Sequence, residues 1–244
     1  MISVHDLVIE YGRGSRSVRA VSGVSLKVAR GESLALIGPS GCGKSTLLFA
    51  MAGLLPATSG EIRVGDEPLL RPRREIALIL QNAGLLPWKT VWQNANLSLL
   101  LNKDYPRVTA RAVLDDLGLG DVRNRYPSEL SEGMKRRVGI ARALSTSPSV
   151  MLMDEPLASL DALTKEKIQD LFLRLWTRHA FALILVTHDI EEAAFLGRRI
   201  AILSERPATV KEVVDNPEMG KLDYRSTMAF AEIVARLRAG LERG

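Results

Sequence analysis

The stretch Gly38-Pro39-Ser40-Gly41-Cys42-Gly43-Lys44-Ser45-Thr46 limits what this chain can fold into more than any other segment. Before it runs Ser33-Leu34-Ala35-Leu36-Ile37, which carries no charge, and after it Leu47-Leu48-Phe49-Ala50-Met51-Ala52, which reads as a helix. The stretch is therefore a glycine-rich turn between a buried strand and a helix. Glycines let backbone N–H groups turn inward and approach an anion closely. A helix starting near Lys44 adds the positive end of its dipole to the same space. Gly38, Gly43, Lys44 and Ser45 have the spacing of a phosphate-binding loop, in which the lysine reaches the terminal phosphates and the hydroxyl binds Mg²⁺. The plain alternative is an ordinary strand-to-helix turn, but the flanking strand and helix are the context the motif requires. The whole segment Gly38–Thr46 is thus expected to bind a nucleoside triphosphate.

The chain has 244 residues, 46% of them hydrophobic and 25% charged, enough for one large domain or two small ones with a substantial core. A formal charge of +5 suits nucleic acid, an anionic membrane surface or simply a nucleotide, and does not choose among them. Cys42 is the only cysteine, so no intrachain disulfide forms, which suits a reducing compartment. Its place inside the loop suggests that a thiol reagent would block nucleotide. No apolar run approaches the ~20 residues of a membrane span. His5, Asp6 and Glu10 interrupt any N-terminal signal pattern. A soluble, cytoplasmic chain that serves a membrane only through a partner is expected.

Alternation predicts strands over 2–9 and 18–28, with a turn at 12–17 between them, and further strands at 33–37, 61–64 and 76–80. Helical spacing follows at 91–101, 109–117 and 132–145. Strands at 150–153 and 183–187 then alternate with helices at 162–178 and 190–196, implying a parallel sheet covered on both faces. A last helix places Phe230, Ile233, Val234, Leu237 and Leu241 on one face, read as core packing. The strand at 76–80 ends at Gln81, the run Val150–Met153 ends in Asp154-Glu155, and the next ends in His188-Asp189. Ligands of open α/β sheets bind at the carboxyl ends of strands. One carboxylate of the Asp154-Glu155 pair can hold Mg²⁺ there, and its neighbour can position or deprotonate an attacking water.

Together with GPSGCGKST and VMLMDEP, the chain carries Gln81, Leu130-Ser131-Glu132-Gly133-Met134, Ser159-Leu160-Asp161 and His188 in that order. This ordered set resembles the ATP-binding-cassette ATPases, and the resemblance runs from Tyr11 to about Ser204. It implies a phosphate-loop NTPase fold of the α/β class, with a mixed, mainly parallel core sheet, an N-terminal antiparallel β subdomain and an inserted α-helical subdomain. The expected division is a single domain over 1–244: core and β subdomain over about 1–81 and 150–216, helical subdomain over about 82–149, helical tail over 217–244. The resemblance also implies roles. Tyr11 stacks on adenine, Gln81 contacts Mg²⁺ and senses the γ-phosphate, Glu155 is the catalytic base, His188 bonds the γ-phosphate, and Asp154 is left for the metal. Ser131 and Gly133 serve the ATP of a second subunit placed head to tail, and Asp161 links the two sites. ATP and Mg²⁺ are the implied cofactors. Glu132 and Met134 depart from the family's usual LSGGQ; a carboxylate beside a triphosphate is tolerable if it points to solvent.

The family resemblance also suggests what the ATP drives. There is one phosphate loop, no fused membrane segment, and too little chain between Lys44 and Ser131 for the coiled coil of cassette-type repair ATPases. That leaves the separate ATPase subunit of a transporter, working as a homodimer or paired with another ATPase subunit at the cytoplasmic face of the membrane. The wording LLPWKTVWQN, residues 85–94, looks like the nitrate/sulfonate/bicarbonate (nitrate–taurine) importer branch. Leu85, Leu86 and Trp88 are apolar residues on a loop, which often mark a partner site. Gln81–Val91 is therefore expected to contact the permease, with a periplasmic or extracellular solute-binding protein acting indirectly. The rival is a soluble cassette ATPase acting on nucleic acid or a protein complex, for which Arg71, Arg73, Arg74 and Lys135-Arg136-Arg137 would form a basic surface. Such runs are more often solvated faces, and no nucleic acid is expected as partner.

Overall fold

The computed structural model describes residues 1–12, 17–101, 110–158, 160–221 and 223–243. Four residues of the expected turn at 12–17, Thr109 at the start of the expected helix 109–117, and Ser159 lie outside the described residues.

Among the described residues the strands form two sheets. The first has the order β2-β1-β4-β5, from β1 (Ile2–Tyr11), β2 (Val18–Val28), β4 (Ser59–Val64) and the short β5 (Glu67–Pro68), and all its pairs are antiparallel. The second has the order β10-β9-β3-β8-β7-β6, from β3 (Ser33–Ile37), β6 (Ile76–Ile79), β7 (Val150–Asp154), β8 (Ala182–Val186), β9 (Arg199–Leu203) and β10 (Val210–Asp215). It is parallel except where β10 runs antiparallel to β9. The fold is thus α/β, with an antiparallel N-terminal sheet and a mixed, mainly parallel core sheet.

The two-residue period of a strand sorts the core sheet's side chains into its two faces. Leu34, Leu36, Val150, Leu152, Ile184 and Val186 face the antiparallel sheet, with α1 (Lys44–Met51) packed in the same cluster through Leu47, Leu48 and Met51. Met151, Met153, Leu183 and Leu185 face the opposite way, into the cluster that holds α5 (Glu132–Leu144) and α6 (Ala162–His179). Both faces are covered, which is why these strands read as unbroken apolar runs. Ala35, Ile37, Ile200 and Ile202 join α7 (Ile190–Leu196) and α8 (Met228–Glu242), whose Phe230, Ile233, Val234, Leu237 and Leu241 pack inward as expected.

The structure differs from the sequence reading in two places. The expected helix 91–101 is broken at Asn96 into α2 (Val91–Ala95) and α3 (Leu97–Leu101), and is followed by α4 (Ala110–Asp116). Asn94, fully buried, donates to the carbonyls of Leu86, Lys89 and Thr90 and so holds α2 against the preceding loop. The hairpin β9–β10 was not foreseen at all; its turn contains Pro207, which reads as a break.

Candidate nucleotide site

Strands β3, β7 and β8 lie side by side in register, Ala35 beside Leu185 and Met153 beside Leu185, so their carboxyl ends open on one edge. A cavity of about 650 Å³ lies there. The phosphate loop supplies Ser40, Gly41, Gly43, Lys44, Ser45 and Thr46 to its wall, and Glu155, His188, Ala20 and Arg206 complete the lining. Gly43 has φ 126°, and a Cβ there would sit 2.6 Å from the Ala20 carbonyl oxygen, so only glycine fits. Gly38, Pro39 and Cys42 do not line the cavity. Gly38 and Pro39 instead offer their carbonyls to the Lys44 ammonium, both at 2.8 Å. The Cys42 side chain is buried, with its sulfur 3.2 Å from where a Cβ on Gly38 would be. A thiol reagent does not meet an open sulfur there, and the residue can contribute to a cradle only through its backbone.

Ser45 Oγ donates to Asp154 Oδ1 at 3.0 Å. Burial pushes the Asp154 carboxyl up from its ordinary range; the Ser45 hydrogen bond opposes that, Glu155 adds to it, and Lys44 opposes it again. Glu155 sits in the left-handed region at φ 44° and donates its N–H to the Val186 carbonyl at 2.8 Å. This strained turn aims its carboxylate into the cavity, with His188 Nδ1 3.1 Å from Glu155 Oε1. Behind His188, Asp189 caps α7 by accepting from Glu192 N at 3.0 Å and pairs with Lys165. Glu192 is buried, its carboxyl is pushed up to about 7 mainly by desolvation, and it accepts from the Thr187 hydroxyl.

The other expected site residues stand apart from the cavity lining. The Tyr11 hydroxyl reaches Thr46 Oγ1 at 3.2 Å, so the ring lies beside the first turn of α1. Gln81 follows β6 at the same sheet edge, since Ile79 is level with Met153, but it is exposed and not in the wall. Ser131 caps α5 and its hydroxyl accepts from Met134 N at 3.3 Å. Asp161 caps α6, with Oδ1 accepting from Thr164 N at 3.0 Å, and these bonds hold its carboxyl below the ordinary range. A Cβ on Gly133 would lie 2.9 Å from Thr164 Cγ2, so the starts of α5 and α6 touch. Ser131, Gly133 and Asp161 therefore form a second locus, made of two capped helix ends.

Glu132 points to solvent, as its chemistry requires, and pairs with Lys135 at 2.6 Å. The apolar loop residues divide: Leu85 packs on the core while Trp88 is 70% exposed. A groove of about 440 Å³ runs between Asn82–Pro87 and Glu132, Lys135 and Arg136. Its loop is clamped by Arg142, which donates to the carbonyls of Gly84 at 2.8 Å and Ala83 at 2.6 Å.

The sequence suggested a surface position for Arg136 and gave no role to Arg206, and the structure corrects both. Arg136 is buried and donates to Leu80 O at 3.5 Å and Ala158 O at 3.2 Å, tying α5 to the segments that carry Gln81 and Asp161. A basic residue on the inner face of α5 was the only available signal, and the charge run around it hid it. Arg206 reaches the cavity from the β9–β10 turn; with that hairpin unforeseen, no signal marked it.

Comparison with known proteins agrees with this geometry. The family model described as ABC transporter matches residues 21–158. The taurine import ATP-binding protein TauB of Yersinia pestis bv. Antiqua (strain Antiqua) is 41% identical over 215 residues, covering 87% of this chain and 83% of that protein. The aliphatic sulfonates import ATP-binding protein SsuB of Bacillus cereus (strain ATCC 10987 / NRS 248) is 35% identical over 246 residues, covering 100% and 96%. Among solved structures, the dimeric post-hydrolysis state of the ATP-binding cassette MJ0796 bound to ADP and Pi superposes with a TM-score of 0.76 at 28% identity, covering 88% of this chain and 98% of that one. The structure of cbiO1 from Clostridium perfringens, part of the ABC transporter complex cbiONQ, gives 0.79 at 25% identity over 98% and 96%.

Proposed function

The chain belongs to the ABC transporter family and is an ATP-binding ATPase, and from that premise we propose that it drives a membrane importer for a small solute of the taurine or sulfonate kind. The observation that carries the proposal is the cavity in which the phosphate loop meets the Glu155–His188 pair, with Asp154 bonded to Ser45 of its wall. The importer assignment is supported by the two import subunits to which the chain is similar over most of its length.

In this reading the amides of Ser40–Gly43 and the start of α1 bind the phosphate chain, and Lys44 turns from its two loop carbonyls toward the terminal phosphates. Tyr11 stacks on adenine at the far side of Thr46. Mg²⁺ fits the hard oxygen pair of Ser45 and Asp154, and it would neutralise charge on the terminal phosphates. Glu155 takes the proton of the attacking water, and His188 holds the carboxylate in place and bonds the γ-phosphate. Gln81 closes on the site from the end of β6. Water adds to the γ-phosphorus, the bond to ADP breaks, and phosphate and ADP leave.

The chain is further proposed to act as one ATPase domain with the core, β, helical and tail divisions expected above. Two copies close head to tail, so that Ser131 and Gly133 of one meet the ATP of the other and Asp161 lies at the seam. The groove beside Trp88 receives a permease, which keeps the chain on the cytoplasmic face of the membrane and connects it indirectly to a solute-binding protein. Among the described residues no helix is long and apolar enough to cross a membrane. The test is Glu155→Gln. Turnover is expected to fall at least ~100-fold with ATP binding retained, and the protein to elute as a dimer on gel filtration only with Mg-ATP. Full turnover would remove Glu155 from its role. For the importer assignment, Trp88→Ala is expected to retain ATP binding yet lose ATP-driven uptake in vesicles containing the permease; normal uptake would remove the groove from the coupling path.

A further inference from the structure

Arg206 extends into the cavity from a turn that the rest of the molecule holds rigid. Ser204 N donates to Thr209 O at 3.0 Å, and the Ser204 hydroxyl donates to Pro207 O at 3.0 Å while accepting from Thr209 N at 2.9 Å. The turn is pinned to β2 by Ala208 N donating to Ala20 O and Ser22 N donating to Ala208 O, both at 2.9 Å. It is also wedged against the phosphate loop, because Ala208 Cβ lies 3.2 Å from where a Cβ on Gly43 would be. Among the described residues, no hydrogen bond or ion pair is formed by the Arg206 guanidinium, although Ser204, Ala208 and Thr209 on either side of it are hydrogen-bonded.

A preorganised loop that presents an unpaired cation to a cavity is an arrangement that anions select. The charges of the wall give the same direction. Glu155 brings a carboxylate to the wall and Asp154 a second one just behind Ser45, facing a ligand that is itself a polyanion, while Lys44 and Arg206 are the lysine and arginine at the cavity. We propose that Arg206 is a nucleotide-binding residue whose guanidinium donates to the phosphate chain, opposite Lys44. Guanidinium has the planar fork that matches two phosphate oxygens, and the turn fixes the backbone that carries it. The inference rests on the reading of the cavity as the ATP site and adds a ligand to it.

The experiment is ATP titration of the wild-type chain and of Arg206→Ala, Arg206→Lys and Arg206→Glu, by calorimetry at about 50 mM and about 500 mM KCl. Loss of a charge-assisted hydrogen bond predicts about tenfold weaker binding for Arg206→Ala at low salt. Arg206→Lys should recover part of the affinity and Arg206→Glu should bind more weakly than Arg206→Ala. The gap between wild type and Arg206→Ala should shrink to about threefold at high salt, because the pair is partly screened. Equal ATP affinity in wild type and Arg206→Ala overturns the proposal, and so does a loss that ignores both salt and the lysine variant, which would mark a packing role for the turn. Unchanged ATP affinity with a lost ATP-dependent dimer would assign Arg206 to a second copy instead, and also overturns it. A wild-type chain that takes up no ATP overturns the nucleotide site itself, a result distinct from failure at Arg206 alone.

Discussion

The first turns of α1 and α5 carry opposite equipment. α1 begins at Gly43, which has no side chain to cap the helix, and its first residue is the cation Lys44. α5 begins at Ser131, whose hydroxyl accepts from Met134 N, and its first residue is the acid Glu132. Every helix start leaves amides without intrahelical acceptors and a partial positive charge. α5 answers both needs from its own residues, while α1 opens its start onto the cavity beside Glu155 and His188. In the proposed reading, α1 is an anion site complete within the chain, and α5 is one that needs a second copy. An anion reaching α5 has to displace the hydrogen bond of Ser131, a cap that contributes about 1 kcal/mol. That cost is small beside triphosphate binding, so in the proposed dimer the second site forms only when another copy brings its nucleotide.

The largest effect should come from emptying the α1 start of its cation. Lys44→Ala is expected to weaken ATP binding and turnover at least ~100-fold, since it removes the charge proposed to turn from its loop carbonyls to the terminal phosphates in a partly enclosed site. Nucleotide titration and phosphate release would read it. A variant that still bound ATP within a few fold of wild type would break the comparison, because α1 would then be no more an anion site than α5. The next test addresses α5. In the Glu155→Gln background, Ser131→Ala should leave the ATP affinity of the monomer within about twofold and weaken the ATP-dependent dimer about tenfold, for one lost bond to a charged group. It should also lower folding stability by about 1 kcal/mol through the lost cap. Weakened monomer binding would mean that Ser131 serves its own chain's nucleotide.

The contrast between the two helix starts also explains what could be read from sequence. The phosphate loop is local: strand, glycines, lysine and helix follow one another, so Gly38–Thr46 announces itself. The Asp154-Glu155 pair is legible because β7 is buried on both faces and its apolar run ends abruptly in charge. At α5 the cap was legible, but the packing of Gly133 on Thr164 was not, because that contact joins helices distant in sequence. The same reason hid Arg206 and Arg136, whose partners are set by tertiary folding. Leu85 and Trp88 looked alike as apolar loop residues, yet in the folded loop, which Asn94 and Arg142 hold by its backbone, Leu85 packs on the core and Trp88 is exposed.

Gly133 permits a smaller, sharper test. Gly133→Ala forces a methyl to within 2.9 Å of Thr164 Cγ2, and overpacking of this kind typically costs about 1–3 kcal/mol. Chemical denaturation should show that loss, and Thr164→Ala added to it should restore most of it. If the double variant is stable yet still fails to dimerise with ATP, the Gly133 backbone serves the second copy as well as the contact with α6. If stability and dimer return together, its glycine is explained by packing alone.

The smallest effect is expected at Glu132, where the two helix starts differ most in charge. Its side chain is 69% exposed and its pair with Lys135 lies on the surface. Exposed pairs contribute about 0–1 kcal/mol and fade with salt. Glu132→Gln should therefore leave stability nearly unchanged. If the carboxylate repels an incoming triphosphate only through water, the ATP-dependent dimer should tighten by less than about threefold at low salt and not at all near 0.5 M KCl. Sedimentation at graded salt measures this directly. A larger, salt-resistant gain would mean that Glu132 turns inward when the two copies close, and that the acid at the start of α5 holds the second site open until ATP and partner arrive together.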